Sequence, residues 1–444
     1  MLITAFILRA AFLMAVGTNP TMYLTPDSSV YLRLAENMKS LRIFSSNEPV
    51  PNVPDTIRTP GYPAFLMLFG DGQSDSILRI VWAQALLGAL TAGLLFLAGS
   101  FLWPKPDGAG LFAGLGMAFD YVIVLYSAFV MTEPLFLPIF VLSLLFYGRF
   151  LLAPDNRTTS LVLSGLFYGL GALVRPVSLY YFLVPASILI YMGVTKKIMK
   201  PAKTLALFLL VAVTLPCLWM ARNKAVAGAW TFTTIQGVTR AAILEERLSG
   251  TTFEESCTLL EERFKREHPA GFKNATVEAS AKSVWSMKYV LSHPKDYAIV
   301  LLQETIRLIG GNGMKAGAWM FFKDPNYDPF TIVVHPTESN SQQIRTLWNR
   351  HPVLGIALSI YLSLLALVYL MAVTGFFTVW KENRVVALWL GMTVAYFFLV
   401  SIGFGTGARY RIPIMPAIFL LAGIGFSTVR AWTSGRSAAG NSHS

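Results

Sequence analysis

Residues 77–102 read ILRIVWAQALLGALTAGLLFLAGSFL, a run that carries a single charge, Arg79. An α-helix rises about 1.5 Å per residue, so a run of this length covers the roughly 30 Å hydrocarbon core of a bilayer. Stretches of the same kind recur at 2–17, 108–126, 134–153, 160–174, 177–194, 205–221, 354–377, 385–402 and 412–429. Composition agrees: 54% of the 444 residues are hydrophobic and 14% are charged, whereas soluble domains are about a quarter charged. The expected class is an all-α polytopic membrane protein with about ten transmembrane helices.

The net charge of +12 raises the question of a nucleic-acid partner, but the cations sit in short loops between spans, which is the mark of topology. With the N-terminus inside, the inner loops receive Lys105, Arg149, Arg157, Lys196, Lys197, Lys200, Lys203, Lys381, Arg384, Arg430 and Arg436. The short outer connections keep only Arg175, Arg409 and Arg411. Three cations on the side where positive charge is disfavoured ask for a functional reason. Both termini are therefore expected in the cytoplasm of a multi-pass inner (plasma) membrane protein, with the two long segments, 18–76 and 222–352, facing the periplasm or exterior. The expected organisation is a transmembrane catalytic module at 1–221, an outer segment at 222–352, further transmembrane helices at 353–429 and a disordered cytoplasmic tail at 430–444. The stretch 2–17 lacks a basic n-region and an Ala-x-Ala site, so it reads as an anchor rather than a cleaved signal. Cys217 and Cys257 have no metal-ligand spacing and could form one disulfide at most.

The outer segments carry their own helical patterns. Residues 253–268, 277–291 and 297–309 have helical periodicity, and the last, interrupted by Glu304 and Arg307, is read as lying on the membrane surface. In the first outer segment, Pro26-Asp27-Ser28-Ser29 opens a helix striped by Tyr31, Leu34, Ala35 and Met38. Asp27 reads equally well as a helix cap, worth about 1 kcal/mol, or as a reactive carboxylate beside the bilayer. Gly61-Tyr62-Pro63 leads into a short interfacial helix with Tyr62 as a headgroup-level anchor.

Asp27, Arg58, Asp120, Glu133, Arg175, Arg222, Arg409, Tyr410 and Arg411 make a compact polar inventory on one face. One or two carboxylates facing several arginines is what transfer from a phosphate-linked donor needs. A carboxylate takes the acceptor's proton, and guanidinium forks hold phosphate oxygens and stabilise the departing charge. Any one of these arginines serves equally as a lipid-headgroup contact; their combination carries the weight.

The order of Asp27-x3-Tyr31-x3-Ala35, Arg58-Thr59-Pro60-Gly61-Tyr62-Pro63, Thr132-Glu133-Pro134-Leu135-Phe136, Leu173-Val174-Arg175-Pro176, Trp219-x2-Arg222-Asn223 and Arg409-Tyr410-Arg411-Ile412-Pro413 resembles the GT-C glycosyltransferases, in the branch of protein O-mannosyltransferases and aminoarabinose transferases. The resemblance implies an inverting hexosyl- or pentosyltransferase that draws a sugar from a polyprenyl-phosphate donor, in contact with membrane lipids. On it, Asp27 is the general base and Glu133 a second catalytic acid. Arg58, Arg175, Arg409, Tyr410 and Arg411 hold the donor phosphate, and Asp120, Tyr62 and Arg222 support the acceptor side. Protein mannosyltransferases carry Asp-Glu after the first span, and Ser28 here favours a lipid or glycan acceptor over protein Ser/Thr. Asp27, Asp120 and Glu133 could gather Mg or Mn, but no Asp-x-Asp or His cluster supports a metal, so no cofactor is expected. The rival readings are a lipid-linked glycan transporter or flippase, whose inverted repeats are not visible, and a glycan polymerase or ligase.

Overall fold

The computed structural model describes residues 1–46, 53–70, 74–105, 108–152, 157–235, 237–311, 313, 320, 349, 352–403 and 407–434. Of the expected tail at 430–444, residues 430–433 continue the last helix, while 435–444 and most of 312–351 lie outside the described residues. All regular structure among the described residues is helical: α1 (Leu2–Val16), α2 (Pro26–Ser40), α3 (Gly61–Leu66), α4 (Ser74–Leu102), α5 (Ala109–Phe119), α6 (Tyr121–Ala128), α7 (Glu133–Leu152), α8 (Arg157–Val174), α9 (Leu183–Val194) and α10 (Pro201–Ala227). Then come α11 (Thr239–Ser249), α12 (Phe253–Glu267), α13 (Ala275–Leu291), α14 (Pro294–Gly310), α15 (Pro352–Glu382), α16 (Arg384–Ser401), α17 (Ala408–Arg411) and α18 (Met415–Thr433).

Eight helical segments among the described residues are long and apolar enough to cross a membrane, α9 being counted with the turns before it as Pro176–Val194, and nine if the bent pair α5 and α6 forms one span. That corrects the expectation of ten in two places. Helix α1 has 15 residues, about 22 Å of rise against a core of roughly 30 Å. The run 108–126 is not one rod but two helices bent by 50°. Asp120 causes the break: its Oδ1 accepts from the Ile123 amide at 3.0 Å, capping the new helix, as a short acid does at an N-cap. On the other side of the break, the buried Arg9 of α1 donates to the carbonyls of Met117 (3.2 Å) and Ala118 (3.3 Å), the open end of α5. A cap and a cation thus satisfy the backbone groups that a kink inside an apolar bundle would otherwise orphan.

Close crossings hold the bundle. Gly425 of α18 meets the backbone of Met371 in α15, and Gly375 meets that of Leu421, so closely that a Cβ on either glycine would collide with a carbonyl oxygen. Small residues at crossings are how membrane helices gain van der Waals contact where lipid offers no hydrophobic drive. Helix α15 otherwise presents apolar side chains such as Ile356, Ile360, Leu364, Leu370 and Phe377 outward, as a lipid-facing span does.

Helices α11 to α14 form a small cluster around Leu244, Leu260, Val290 and Val300. Cys217 and Cys257 are free thiols. The ranges expected for the three extramembrane helices match within three residues, because caps mark the starts of α12 and α13 and Pro294 that of α14. Thr252 accepts from the Glu255 amide and Glu255 returns the bond. Asn274 caps α13 through the Val277 amide at 2.9 Å.

Candidate active site

At one end of the bundle a cavity of about 510 Å³ lies between the helix ends and the two long connecting segments. Asp27, Tyr31, Arg58, Arg175, Arg409 and Tyr410 line it, together with the segment 230–235 and part of α13.

Asp27 is positioned by the start of α2, but it is not the cap. Thr25 is: its amide donates to Ser28 Oγ at 2.8 Å in a capping box, and Ser28 Oγ donates to the Val130 carbonyl at 2.9 Å. The cap reading of Asp27 is therefore replaced. Asp27 sits in the first turn, its side chain 32% exposed, with Arg58 Nη2 at 2.6 Å from Oδ1 and Arg409 Nη1 at 3.1 Å from Oδ2. Ser28, which weakened the protein-acceptor reading, has its own structural work in that box.

Arg58 is aimed by its neighbours. Asp55 Oδ1 accepts from the amides of Ile57 (2.8 Å) and Arg58 (2.9 Å), and Oδ2 accepts from Ser46 Oγ at 2.7 Å, an Asx turn that fixes the backbone. Thr59 Oγ1 donates to the Val174 carbonyl at 3.3 Å. Gly61 is required two residues later because a Cβ there would lie 2.8 Å from the Leu173 carbonyl oxygen. This close approach brings the Arg58 loop to the end of α8, where Arg175 waits. Pro176 holds Arg175 in extended backbone, φ −135° and ψ 118°, because a residue before proline is excluded from the helical region. That stops α8 and turns the guanidinium into the cavity.

Glu133 opens α7, where the helix dipole favours an acid, and is 1% exposed. Its Oε1 accepts from Arg409 Nε and lies 3.1 Å from Arg175 Nη1; Oε2 accepts from Thr132 Oγ1 at 3.2 Å. The approach to Glu133 is braced by a chain of buried groups. Tyr62 donates to Gln84 Oε1 at 2.6 Å, and Gln84 Nε2 donates to the carbonyls of Phe129 (2.7 Å) and Ser127 (3.2 Å). Tyr62 is fully buried, edge-on to Tyr31 with ring centroids 5.2 Å apart. It is not a headgroup anchor: the phenol serves this brace.

The result is an alternating line of charge, Arg58–Asp27–Arg409–Glu133–Arg175. Burial alone would pull the Arg409 guanidinium down, but the Glu133 carboxylate and its hydrogen bond, with Tyr410 and Asp27, more than offset it and push it up. Arg409 is therefore a fixed cation. Arg175 is pulled down, by burial first, against the opposing Glu133 carboxylate. Its Nη1 touches Glu133 without hydrogen-bonding alignment, and Arg58 Nε also has no partner. Both are buried donors with capacity to spare.

Three candidates from the sequence stand elsewhere. Arg411 is 2% exposed and donates to the carbonyls of Ile309 (2.9 Å) and Gly311 (2.7 Å) and to the Tyr361 hydroxyl, tying α14 to the bundle rather than facing the cavity. Arg222 stacks on Trp219 and Phe44 and donates to the Asp55 carbonyl at 2.9 Å. Asp120 caps α6. Among the described residues, no three His, Cys, Asp or Glu side chains gather as a metal-holding group, and the carboxylates of Asp27 and Glu133 face guanidiniums. Sequence reasoning missed Tyr31 as a cavity wall, under Arg58 at 5.2 Å from the ring centroid, and the segment 230–235. The alternation Trp230-Thr231-Phe232-Thr233 is the signal that could have found the latter.

Residues 58–220 match the family model of dolichyl-phosphate-mannose-protein mannosyltransferases; Arg58, Glu133 and Arg175 fall inside the match, Asp27 and Arg409 outside it. Among solved structures, the archaeal oligosaccharyltransferase AglB from Archaeoglobus fulgidus, in complex with an inhibitory peptide and a dolichol-phosphate, is similar at TM-score 0.51 and 12% identity, over 100% of this chain and 52% of that one. ArnT from Cupriavidus metallidurans, bound to undecaprenyl phosphate, is similar at TM-score 0.40 and 15% identity, over 97% of this chain and 78% of that one. This chain thus spans about half the length of the archaeal enzyme. No curated protein matches the sequence. By fold this chain is similar to the archaeal oligosaccharyltransferase along its whole length, and over 58–220 it also matches the mannosyltransferase family model.

Proposed function

We propose that the protein is an inverting glycosyltransferase that moves a sugar from a polyprenyl-phosphate donor to a lipid or glycan acceptor at the outer face of the membrane. The observation that carries this reading is the alternating line of five charges. Three guanidiniums against two carboxylates leave one positive charge, the complement of the single negative charge on a phosphodiester. The spare donors of Arg58 and Arg175 are ready for phosphate oxygens, and the fork of arginine suits them.

Donor binding then arms the base. A phosphate between the guanidiniums competes with Asp27 for Arg58 and Arg409, and the released carboxylate can accept the acceptor's proton as its hydroxyl attacks the anomeric carbon. The anomeric C–O bond breaks with its electron pair on the phosphate oxygen, whose charge the arginines stabilise. Glu133, fully buried, keeps Arg409 and Arg175 aimed rather than moving protons itself. Tyr410 lines the donor side. The match to protein mannosyltransferases keeps protein Ser/Thr as the second reading of the acceptor.

The test is transfer of labelled sugar from a panel of polyprenyl-phosphate donors by the purified protein in membrane lipid extract, wild type beside Asp27→Asn. Transfer by the wild type and its loss by at least 100-fold in a folded Asp27→Asn protein are expected. Equal activity of the two removes Asp27 as the base. Movement of donor lipid across vesicles without transfer would make the protein a transporter.

A further inference from the structure

The charged lining described above is only part of the cavity. One neutral wall comes from the residues 176–180 with Thr132 and Val400, and the opposite one from the segment 230–235, Thr239 and one face of α13; neither wall contributes an acid or a base to the lining. Glu278 and Lys282, the charged neighbours on that stretch of α13, lie 3.6 Å apart, pair with each other and do not line the cavity. An anionic acceptor would find no counter-ion here.

A peptide acceptor is disfavoured by a different observation. Extended peptides bind by adding a strand to a free backbone edge. In this segment the amides of Thr231, Thr234 and Ile235 are already donated, to Ala229 O, Thr56 O (2.9 Å) and Thr233 Oγ1 (3.2 Å). The carbonyls of Thr231, Phe232 and Thr233 already accept, from Asn223 Nδ2 (2.9 Å), Trp219 Nε1 (3.1 Å) and Thr231 Oγ1 (3.0 Å). These bonds leave no two alternate residues with both amide and carbonyl unused, so the segment presents no continuous strand edge and offers chiefly side chains. Phe232 turns inward, 3% exposed, and Trp230 turns outward, 59% exposed, onto the cavity. Ser280 and Ser283 add hydroxyls from α13. An exposed, rigid ring flanked by neutral hydroxyls is a surface for another amphipathic ring with an apolar face and hydroxyl edges.

We infer that the Trp230 wall is the acceptor subsite and that it takes an uncharged sugar ring stacked on the indole. The inference rests on the transferase reading above and narrows its acceptor to a neutral glycan. The donor sugar has the same chemistry, but it is bonded to the phosphate and so stays beside the arginines.

The experiment is saturation-transfer NMR on the full chain in nanodiscs, with undecaprenyl phosphate present. The probes are methyl β-chitobioside, its glucuronate-bearing analogue and a Ser/Thr peptide, each against wild type, Trp230→Phe and Trp230→Ala. Saturation of the chitobioside ring protons in wild type and Trp230→Phe, with about ten-fold weaker binding in Trp230→Ala, is expected; ten-fold corresponds to about 1.4 kcal/mol. Equal chitobioside binding by Trp230→Ala overturns the inference, as does preference for the glucuronate or the peptide. A parallel titration with the labelled polyprenyl-phosphate sugar separates the two sugars: Trp230→Ala is expected to leave its affinity unchanged, and a ten-fold loss there assigns the ring to the donor and overturns the proposal. Because these are binding readouts, failure of transfer in the earlier assay and failure of the Trp230 subsite remain distinguishable.

Discussion

Glu133→Gln and Asp27→Asn remove one charge each from the same line, yet they should fail in opposite ways. Glu133 is 1% exposed and faces two guanidiniums. Removing one partner of a buried ion pair leaves the other uncompensated and costs about 3–5 kcal/mol. The amide keeps one oxygen for Arg409 and can turn its NH2 to the Thr132 hydroxyl oxygen, which sets the lower end, about 3 kcal/mol. Unfolding entropy of about 2.1 cal/mol/K per residue gives about 0.9 kcal/mol/K for a chain of this length, so Tm should fall by about 3 °C. Asp27 is a third exposed and its pairs are screened, so its loss should cost about 1 kcal/mol or less, about 1 °C. For polyprenyl phosphate the expectation inverts the usual order. Either substitution raises the net charge of the line by one, so affinity should hold or rise in both, while transfer is lost with Asp27. The assay is thermal unfolding in nanodiscs with a parallel titration of undecaprenyl phosphate. An unchanged Tm for Glu133→Gln, or an equal drop for Asp27→Asn, would refute the division into a buried clamp and a reactive carboxylate.

Two further outcomes follow from the packing. Gly425→Leu drives a side chain into the α15 backbone, where overpacking costs typically 1–3 kcal/mol and more when backbone must move; Gly310→Leu, with open space around it, is the control that should express and melt like wild type, while Gly425→Leu should aggregate on extraction. The Cys257 thiol is pushed up by burial and then by Glu261, Glu254 and Glu246. Less thiolate is present at any given pH than for a free cysteine, so iodoacetamide at pH 8 should label Cys257 slowly and Glu261→Gln should speed it; labelling at the rate of an unhindered peptide thiol would contradict this.

How much of this was legible in the sequence depended on whether the cause was local. Spans such as 77–102 and the capped helices of the extramembrane cluster were readable because length, apolarity and caps act over a few residues. The break at Asp120 was missed because a hydropathy window averages over a single acid, and its other half is Arg9, more than a hundred residues away. The carboxylates and arginines of the site were readable as types: charge beside a bilayer stands out against an apolar chain. Their sorting was not. Arg409 and Arg411 are two residues apart, yet one ends in the cavity and the other among the carbonyls of α14. The short helix α17 turns their side chains to different sides, and only the packed bundle says which side is which. Tyr62 failed for a similar reason, since its role depends on Gln84, which lies within an apolar span.

On the proposed function, the alternation of charge in the line also answers why a phosphate site would carry two acids in its midst. Three guanidiniums buried without counter-charges would each bear several kcal/mol of desolvation cost, and they would repel one another at these separations. Interleaved carboxylates offset both terms in the resting protein and hold each fork in position before the donor arrives. A weakly bound anion such as chloride or a diffuse lipid headgroup would have to displace a carboxylate already at 2.6 Å, which favours the resting state. A phosphodiester delivered at high local concentration by its own lipid tail can compete, because it offers two unesterified oxygens to the unpartnered donors of Arg58 and Arg175 as well as to the shared ones. Occupancy by the donor and release of Asp27 are then one equilibrium, so a base able to take a proton would exist mainly when there is a sugar to transfer.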